Sequence, residues 1–113
     1  MKKISVMFYA VGQKGKLVEI EDKEEALKEL VGGELETFKL PDIPAFEGNI
    51  FYVVMDIDAI GKDKKVNRGD LRGDIAVMVQ NGEQYMNIRS MTKEEAGTVN
   101  YAVELLLPPA EAK

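Results

Sequence analysis

The side chains that most enzymes use for acid–base and nucleophilic chemistry are missing from this 113-residue chain, which contains no His and no Cys. Imidazole is the commonest general base and metal ligand in proteins, and cysteine nucleophiles and thiolate metal sites require a thiol. The sequence also lacks a phosphate-binding P-loop and a dinucleotide-binding glycine fingerprint. We therefore expect a protein that is not an enzyme, that uses no cofactor and that acts by binding.

Two carboxylates, Asp56 and Asp58, form an Asp-x-Asp pair after an apolar segment. Hard cations such as Mg²⁺ accept such a pair, usually together with substrate phosphates. If the strand continued through the pair, both side chains would point to the same face of the sheet. A solvated strand end explains the pair without a ligand, so no metal site is predicted. An enzyme that uses both carboxylates with a metal stays open as a third alternative.

Asn67, Arg68 and Arg72 lie in a glycine-rich stretch that we expect to be a loop. Guanidinium groups and exposed backbone N–H groups bind anions through charge-assisted hydrogen bonds. Tyr52 and Tyr85 lie on predicted strands, where a ring close to Arg68 would stack on a base. These five residues are the predicted ligand-binding site, sized for a nucleotide. In the alternative interpretation Arg68 only pins a turn and the tyrosines belong to the core.

The charge balance argues against nucleic acid as a partner. The chain has 15 basic and 20 acidic residues, for a net charge of −5. Phosphate-backbone binders instead cluster Lys and Arg, which neutralise phosphates and release counterions. Duplex DNA and RNA are therefore excluded from the expected partners.

The length and the apolar content predict one folded domain. Hydrophobic residues make up 45% of the chain, enough to build one core, and 113 residues are too few for two. We expect a single domain over residues 1–107 and a short tail over residues 108–113. No apolar stretch has the length of a membrane span, and the first residues resemble a strand more than a signal peptide. A cytoplasmic protein with no membrane partner is expected.

Alternating and apolar segments predict six strands, and two helices complete an α+β fold with a mainly antiparallel sheet. The first helix is expected to be capped by Asp22 and to end at Gly32-Gly33, and the second to begin at a capping box, Thr92 with Glu95. The predicted order is β-β-α-β-β-β-β-α, with strands over residues 4–11, 16–21, 34–40, 49–55, 75–80 and 84–88.

The strand over residues 49–55 is apolar at both odd and even positions and is placed centrally in the sheet. A strand of this kind needs cover on both faces, either from its own chain or from a partner chain. The second possibility gives an alternative function. The apolar faces of residues 49–55 and 75–80 would then mediate homo-oligomerisation in a non-catalytic structural or regulatory accessory domain.

Three segments carry a resemblance to a known family: residues 16–36 with the Leu-Val-Gly-Gly-Glu join, Asn67-Arg68, and residues 89–95. Together they resemble the domain-of-unknown-function family numbered 3846, small proteins of bacteriophages, plasmids and their bacterial hosts. The chain departs from the family pattern in a longer loop over residues 41–48 and a lysine-rich segment over residues 61–65. The resemblance implies no reaction, but it implies action against or alongside a host defence system.

The leading hypothesis is therefore a small phage- or mobile-element-type protein that occupies its target. That target is either a signalling nucleotide that the protein sequesters or a host protein that it blocks. Occupancy needs no catalytic residue, which agrees with the missing imidazole and thiol groups.

Overall fold

The computed structural model describes residues 3–40, 50–68, 71–80 and 88–106, with the backbone alone at residues 68 and 106. Within these residues neither helix is long and apolar enough to cross a membrane. The elements follow one another as β1 (Lys3–Tyr9), β2 (Lys16–Glu21), α1 (Glu24–Val31), β3 (Leu35–Lys39), β4 (Phe51–Asp56), β5 (Val66–Arg68), β6 (Leu71–Arg72), β7 (Ile75–Gln80), β8 (Ile88–Arg89) and α2 (Lys93–Leu106).

Six of the strands form one antiparallel sheet, which confirms the predicted α+β class and its order of elements. The strands lie in the order β2-β1-β7-β4-β3, and β8 pairs with the end of β7 that β1 leaves free. The predicted hairpin of β1 and β2 is present, with Ile4 opposite Ile20 and Val6 opposite Val18.

The glycine-rich stretch with Asn67, Arg68 and Arg72, expected to be a loop, contains a second small sheet. β5 and β6 pair as an antiparallel ribbon of three and two residues. Gly73 then takes a left-handed conformation, with φ 77°, and its N–H donates to the Lys65 carbonyl at 2.8 Å. Because the strands are so short, no alternation of apolar and polar residues marks them in the sequence.

β7 is the middle strand of the sheet, and all six of its residues are buried. Its odd-numbered residues pack in the cluster under α2, whereas Ala76 and Met78 pack in the cluster under α1. The neighbouring strand β4 divides in the same way, with Val53 under α2 and Val54 under α1. The chain's own helices therefore pack on both faces of these strands. Of the described residues on which the homo-oligomer hypothesis rests, those of β7 are all buried, and Tyr52 and Met55 of β4 are partly buried.

Helix α1 begins one residue later than predicted and ends where predicted. Its N-cap is Lys23, in an extended conformation and with no side-chain cap bond, rather than Asp22. The backbone turns directly out of β2, where the Lys23 N–H donates to the Glu21 carbonyl at 2.8 Å, and this turn moves the helix start. At the other end Gly32 has φ 80° and donates to the Lys28 carbonyl, as the left-handed cap requires.

Helix α2 begins at the predicted capping box. The Glu95 N–H donates to Thr92 Oγ1 at 3.1 Å, and the Thr92 N–H donates to Glu95 Oε1 at 3.0 Å. Arg89 adds two charge-assisted bonds to the same carboxylate, at 2.8 and 2.6 Å. The bonds from Arg89 lower the pKa of Glu95 against the opposing effect of burial, and the bond from the Thr92 N–H lowers it further. The start of α2 is thereby fixed to β8.

Candidate functional site

Asp56, the last residue of β4, is buried and holds a carboxylate that is bonded on both oxygens. Its side chain is 1% exposed. The Lys62 and Lys64 ammonium groups lie 2.7 and 2.8 Å from Oδ2, and the Asp58 N–H donates to Oδ1 at 2.9 Å. We call Asp56, Lys62 and Lys64 the Asp56 cluster.

The same two ammonium groups also cap the C-terminal end of α1. Lys64 Nζ donates to the Val31 carbonyl at 3.0 Å and to the Gly32 carbonyl at 3.3 Å, and Lys62 Nζ donates to Gly32 at 3.2 Å. These carbonyls have no partner within the helix, and they carry the negative end of its dipole. The lysines therefore join two negative groups, the helix end and the Asp56 carboxylate.

The turn over residues 57–64 places the two lysines. The Lys64 N–H donates to the Ala59 carbonyl at 2.9 Å and the Asp63 N–H to the Ile60 carbonyl at 3.0 Å. Asp63 is left-handed, with φ 54°. These two bonds and the left-handed residue form the motif that usually closes a helix, and Asp tolerates that conformation better than most residues. This turn directs the following chain back toward α1.

Burial by itself would raise the pKa of Asp56. The hydrogen bonds from Lys62, Lys64 and the Asp58 N–H outweigh that effect, with the charge of Lys64 adding to them, and hold the pKa well below its usual range. Asp56 is therefore an anion at neutral pH, with its charge neutralised inside the protein.

Gly33 makes room for this carboxylate. A Cβ built at Gly33 would meet the Asp56 carboxyl carbon and oxygens closer than any real contact. Gly33 is thus required because the Asp56 carboxylate lies too close for a side chain, whereas Gly32 is required because its backbone is left-handed.

The Asp56 cluster corrects both interpretations of the Asp-x-Asp pair. Asp58 is exposed while Asp56 is buried, so the two side chains do not share a face, and Asp56 is no solvated strand end. Within the described ranges no group of three or more acidic side chains is placed to hold a metal ion. Asp56 and Asp58 form a turn in which the Asp56 carboxylate accepts a hydrogen bond from the Asp58 N–H, two residues further on. Its other oxygen is bonded to the Lys62 ammonium group rather than to a metal ion.

Asn67, predicted as a ligand residue, is a buried structural residue. Its side-chain nitrogen donates to the Tyr9 carbonyl at 2.8 Å and to the Gly73 carbonyl at 2.9 Å, which uses both amide hydrogens. Asn67 is 4% exposed. It fastens the β5–β6 ribbon to the end of β1, and a ligand cannot reach it.

Arg72 and Tyr52, the other predicted ligand residues whose side chains are described, lie apart from each other. Arg72 Nη1 donates to the Lys64 carbonyl at 3.1 Å, beside the Asp56 cluster. Tyr52 packs with the cluster under α1 at the opposite end of β4, about 13 Å from Asp56 along the strand. The side chain of Arg68 and all of Tyr85 lie outside the described residues, so their part in a ligand site stays a prediction.

A cleft of about 390 Å³ opens between α1 and the chain that leads into β7. Its volume is in the range of small-molecule sites. The charged residues that line it are Glu29, Asp63, Lys64, Lys65 and Asp74. Three carboxylates therefore face two ammonium groups, one of which is already bonded to Asp56. This balance is unfavourable for a phosphate.

The outer face of α2 carries a feature that the sequence interpretation missed. Tyr101 and Leu105, one helical turn apart, are 68% and 66% exposed, and Gly97 lies exposed one turn before Tyr101. A signal was present, because the i, i+3, i+4 spacing of apolar residues in this helix predicts a buried stripe that excludes Tyr101 and Leu105. The stripe consists of Val99, Ala102, Val103 and Leu106. Ile57 and Ile60 in the turn after β4 are exposed to a similar extent, at 55% and 77%, so Tyr101 and Leu105 differ from them only in lying on one face of one helix.

Comparisons with known proteins give no relative for this chain. No family model, no curated protein and no solved structure matches it. The resemblance to the domain-of-unknown-function family 3846 thus rests on its three sequence segments alone.

Proposed function

We propose that this chain is a small, non-catalytic binding protein of phage or mobile-element type that acts by occupying another protein. The mobile-element setting comes from the resemblance to family 3846. The choice of a protein target over a sequestered nucleotide comes from the arrangement of polar and apolar side chains.

Two of the polar residues that suggested chemistry or nucleotide binding are used inside the fold. Asp56 is bonded to two lysines and a backbone N–H, and Asn67 to two carbonyls. A group held this way must lose those bonds before it can bind a ligand, which is unfavourable for buried polar groups. These residues therefore support the stability of the domain.

The cleft beside Lys64 and Lys65 is a poor phosphate site for a second reason. Glu29, Asp63 and Asp74 share its walls, and the whole chain carries a net charge of −5. A nucleotide phosphate would bring further negative charge against these carboxylates, and like charges in one site repel.

The observation that carries the proposal is the exposure of Tyr101 and Leu105 on α2. Tyrosine is enriched among the residues that supply most of the energy of protein–protein interfaces. Its ring gives a large apolar contact with little loss of conformational freedom, and its hydroxyl stays hydrated at the rim. A protein surface provides the area that such an anchor needs.

Differential scanning fluorimetry with nucleoside triphosphates and cyclic dinucleotides tests the choice of target. A sequestered ligand raises the melting temperature in proportion to RT ln(1 + [L]/Kd). We expect no nucleotide to do so, and native mass spectrometry of the purified protein to give the bare mass of the chain. A saturable rise in melting temperature, or a nucleotide that copurifies in stoichiometric amount, would contradict the proposal. Turnover of a nucleotide that one point substitution abolishes would contradict it too.

A further inference from the structure

Strand β2 lies at one end of the six-stranded sheet, where β1 is the only strand that pairs with it in the described part of the chain. The hydrogen bonds of Ser5 show which residues of β1 bond to β2. The Ser5 N–H donates to Ser90 Oγ at 3.1 Å and its carbonyl accepts from the Met91 N–H at 2.9 Å, so both groups point away from β2. Because successive residues of a strand turn their N–H and C=O groups to opposite sides, Ile4 and Val6 bond to β2.

The outer edge of β2 therefore carries open backbone groups. Ile20 and Val18 lie opposite Ile4 and Val6 and turn their N–H and C=O groups toward β1. Leu17 and Glu19 of β2 alternate with these residues and turn theirs outward. Within the described ranges no hydrogen bond reaches these outward groups. Such an edge is a template for pairing with another extended chain.

A groove of about 570 Å³ lies beside this edge, between β2 and α1. Its apolar lining consists of Ile20 from β2 and of Ala26 and Leu30, which are one helical turn apart on α1. All three residues are only partly buried. Side chains of a strand alternate between the two faces of its sheet, so every second side chain of a strand added to β2 would reach the groove. The groove therefore favours apolar residues at alternate positions of the added chain.

The face of β2 that is turned away from α1 defines the other positions. Leu17 and Glu19 alternate with the residues that pack under α1, so their side chains lie on this face. Leu17 is 37% exposed, and Glu19 makes no ion pair with a described residue. Of the lysines nearby, Lys23 is bonded to Glu21 at 2.8 Å, and Lys3 lies one strand further in, opposite Glu21. A basic residue of the added chain opposite Glu19 would supply a favourable cross-strand pair.

A second copy of the chain satisfies this edge less well. Two-fold pairing of β2 with itself, centred on Glu19, brings two like charges together, and pairing centred on Val18 sets Glu19 against Leu17. Neither arrangement gives Glu19 a positive partner across the new strand pair. The favoured occupant is therefore a different chain.

We propose that the β2 edge and the groove beside it receive an extended segment of another protein as an added strand, an inference that rests on the proposed function. The backbone of the segment bonds to Leu17 and Glu19. Its apolar side chains enter the groove at every second position, and a Lys or Arg lies opposite Glu19. Strand addition of this kind takes its affinity from main-chain hydrogen bonds and its specificity from alternate side chains. The contact uses neither Tyr101 nor Leu105.

Peptides of six residues, the length of β2, test the edge by NMR titration of the isotope-labelled whole chain. One peptide alternates valine with lysine, and its matched control alternates valine with glutamate. We expect the valine–lysine peptide to bind and to shift the amide resonances of Leu17 and Glu19, and the valine–glutamate peptide not to bind.

Two further valine–lysine peptides test the main-chain bonds. One carries N-methyl groups on all valine amides and the other on all lysine amides. The N–H groups of alternate residues point to opposite sides of a strand, so methylation removes either the donors that face β2 or those that face solvent. One of these peptides should lose binding and the other should keep it.

Three variants locate the contact on the protein. Leu17→Pro removes an outward N–H and no bond to β1, a change that edge strands tolerate, and it should lower the affinity for the valine–lysine peptide about tenfold. Glu19→Gln removes the charge and should lower the affinity about threefold. The matched control, Glu36→Gln, removes an exposed glutamate from β3 at the opposite end of the sheet and leaves the affinity unchanged. Circular dichroism checks the fold of each variant, and the N-methylated peptides test the same bonds on the unaltered chain.

No binding, equal binding of the lysine and glutamate peptides, the same result for both N-methylated peptides, or amide shifts centred on β3 would overturn the inference. A dimer that Leu17→Pro dissociates, seen by light scattering, would assign the edge to a second copy and also overturn it. These outcomes leave the proposed function standing, because that proposal fails on a nucleotide that stabilises the domain or is turned over.

Discussion

The C-terminal end of α1 and the outer face of α2 use their residues in opposite ways. At the end of α1 the charged Asp56 cluster is drawn into the protein, and each of its groups is bonded to others. On α2 the apolar residues Tyr101 and Leu105 stand in solvent. Residue type alone would assign chemistry to the first region and packing to the second. The structure reverses that assignment, because burial and bonding decide which side chains can reach a partner.

The difference is sharpened by one glycine in each region. Gly33 is required because the Asp56 carboxylate fills the space where its side chain would be, whereas a Cβ at Gly97 would meet no atom of the described residues beyond the backbone of its own helix. The same substitution at these two positions should therefore change the stability of the domain in opposite directions.

The largest expected effect comes from removing the charge at the centre of the Asp56 cluster. Asp56→Ala should destabilise the domain by about 3 kcal/mol in equilibrium urea unfolding, since it leaves two ammonium groups without their carboxylate. We expect the low end of the range for a broken buried pair, because Lys62 is 46% exposed and water replaces part of the lost bond. Asp58→Ala serves as the control, because Asp58 is two residues further along the same turn and is exposed. It should change the stability by less than about 0.5 kcal/mol. Equal losses in the two variants would mean that the cluster is not a stabilising element.

Gly33→Ala should destabilise the domain by about 2 kcal/mol, the usual size of an overpacking effect. The added methyl group overlaps a short buried side chain that is tied on both oxygens, so the strain cannot be relieved by a rotamer change. The urea midpoint measures this loss. If Gly33→Ala were neutral, the carboxylate would have to shift without losing its lysine contacts, which contradicts the close fit described here.

Acid should weaken the domain through the same carboxylate. The folded pKa of Asp56 lies below its unfolded value of about 3.9, so its contribution is fully present above that value and is lost as the pH falls further. At about pH 3 we expect a loss of about 1 kcal/mol from Asp56, because the unfolded chain binds the proton and the folded chain does not. Glu95, whose pKa is also lowered, contributes in the same direction.

A carbon-detected NMR titration of the Asp56 carboxyl group checks the sign directly. Its resonance should stay that of an anion down to about pH 3, below the pKa of about 3.9 of an aspartate in an unfolded chain. An Asp56 that protonates near this unfolded-chain value would show that Lys62 and Lys64 do not stabilise its anion.

The smallest expected effect is a gain. Gly97→Ala should stabilise the domain by about 1 kcal/mol, since alanine is the better helix former and, among the described residues, its methyl group meets no atom beyond the backbone of its own helix. Thermal or urea unfolding measures it beside Gly33→Ala. A loss of stability at position 97 would mean that the domain itself needs this glycine, and the contrast between the two regions would disappear.

Local features of the fold could be predicted from the sequence because their causes are local. The capping box of Thr92 and Glu95 joins residues three apart, and the left-handed Gly32 cap needs only its own backbone. The covering of both faces of β4 and β7 could be predicted because these strands have apolar residues at odd and at even positions. The shifted start of α1 and the β5–β6 ribbon could not be predicted in the same way, because a turn and a paired neighbour set them.

The candidate site shows the limit of spacing as a guide. Lys64 bonds a carbonyl 33 residues away, and Asn67 bonds one 58 residues away. The exposure of Tyr101 and Leu105 was missed, although the phase of the apolar stripe of α2 could have predicted it. The long-range bonds of Lys64 and Asn67 have no such signal. Contacts between residues far apart in the chain depend on how the helices and strands pack, and no short sequence motif predicts that packing.

The sequence by itself determined the class of the fold, the positions of its helices and main strands, and the absence of imidazole and thiol chemistry. Periodicity, caps and composition act within a few residues, so they can be read along the chain. Only the tertiary structure decided that Asp56 is a neutralised buried anion, that Asn67 is a structural tie, and that Tyr101 and Leu105 of α2 are exposed. These properties depend on which distant groups fold into contact and on which surfaces the folded chain leaves uncovered.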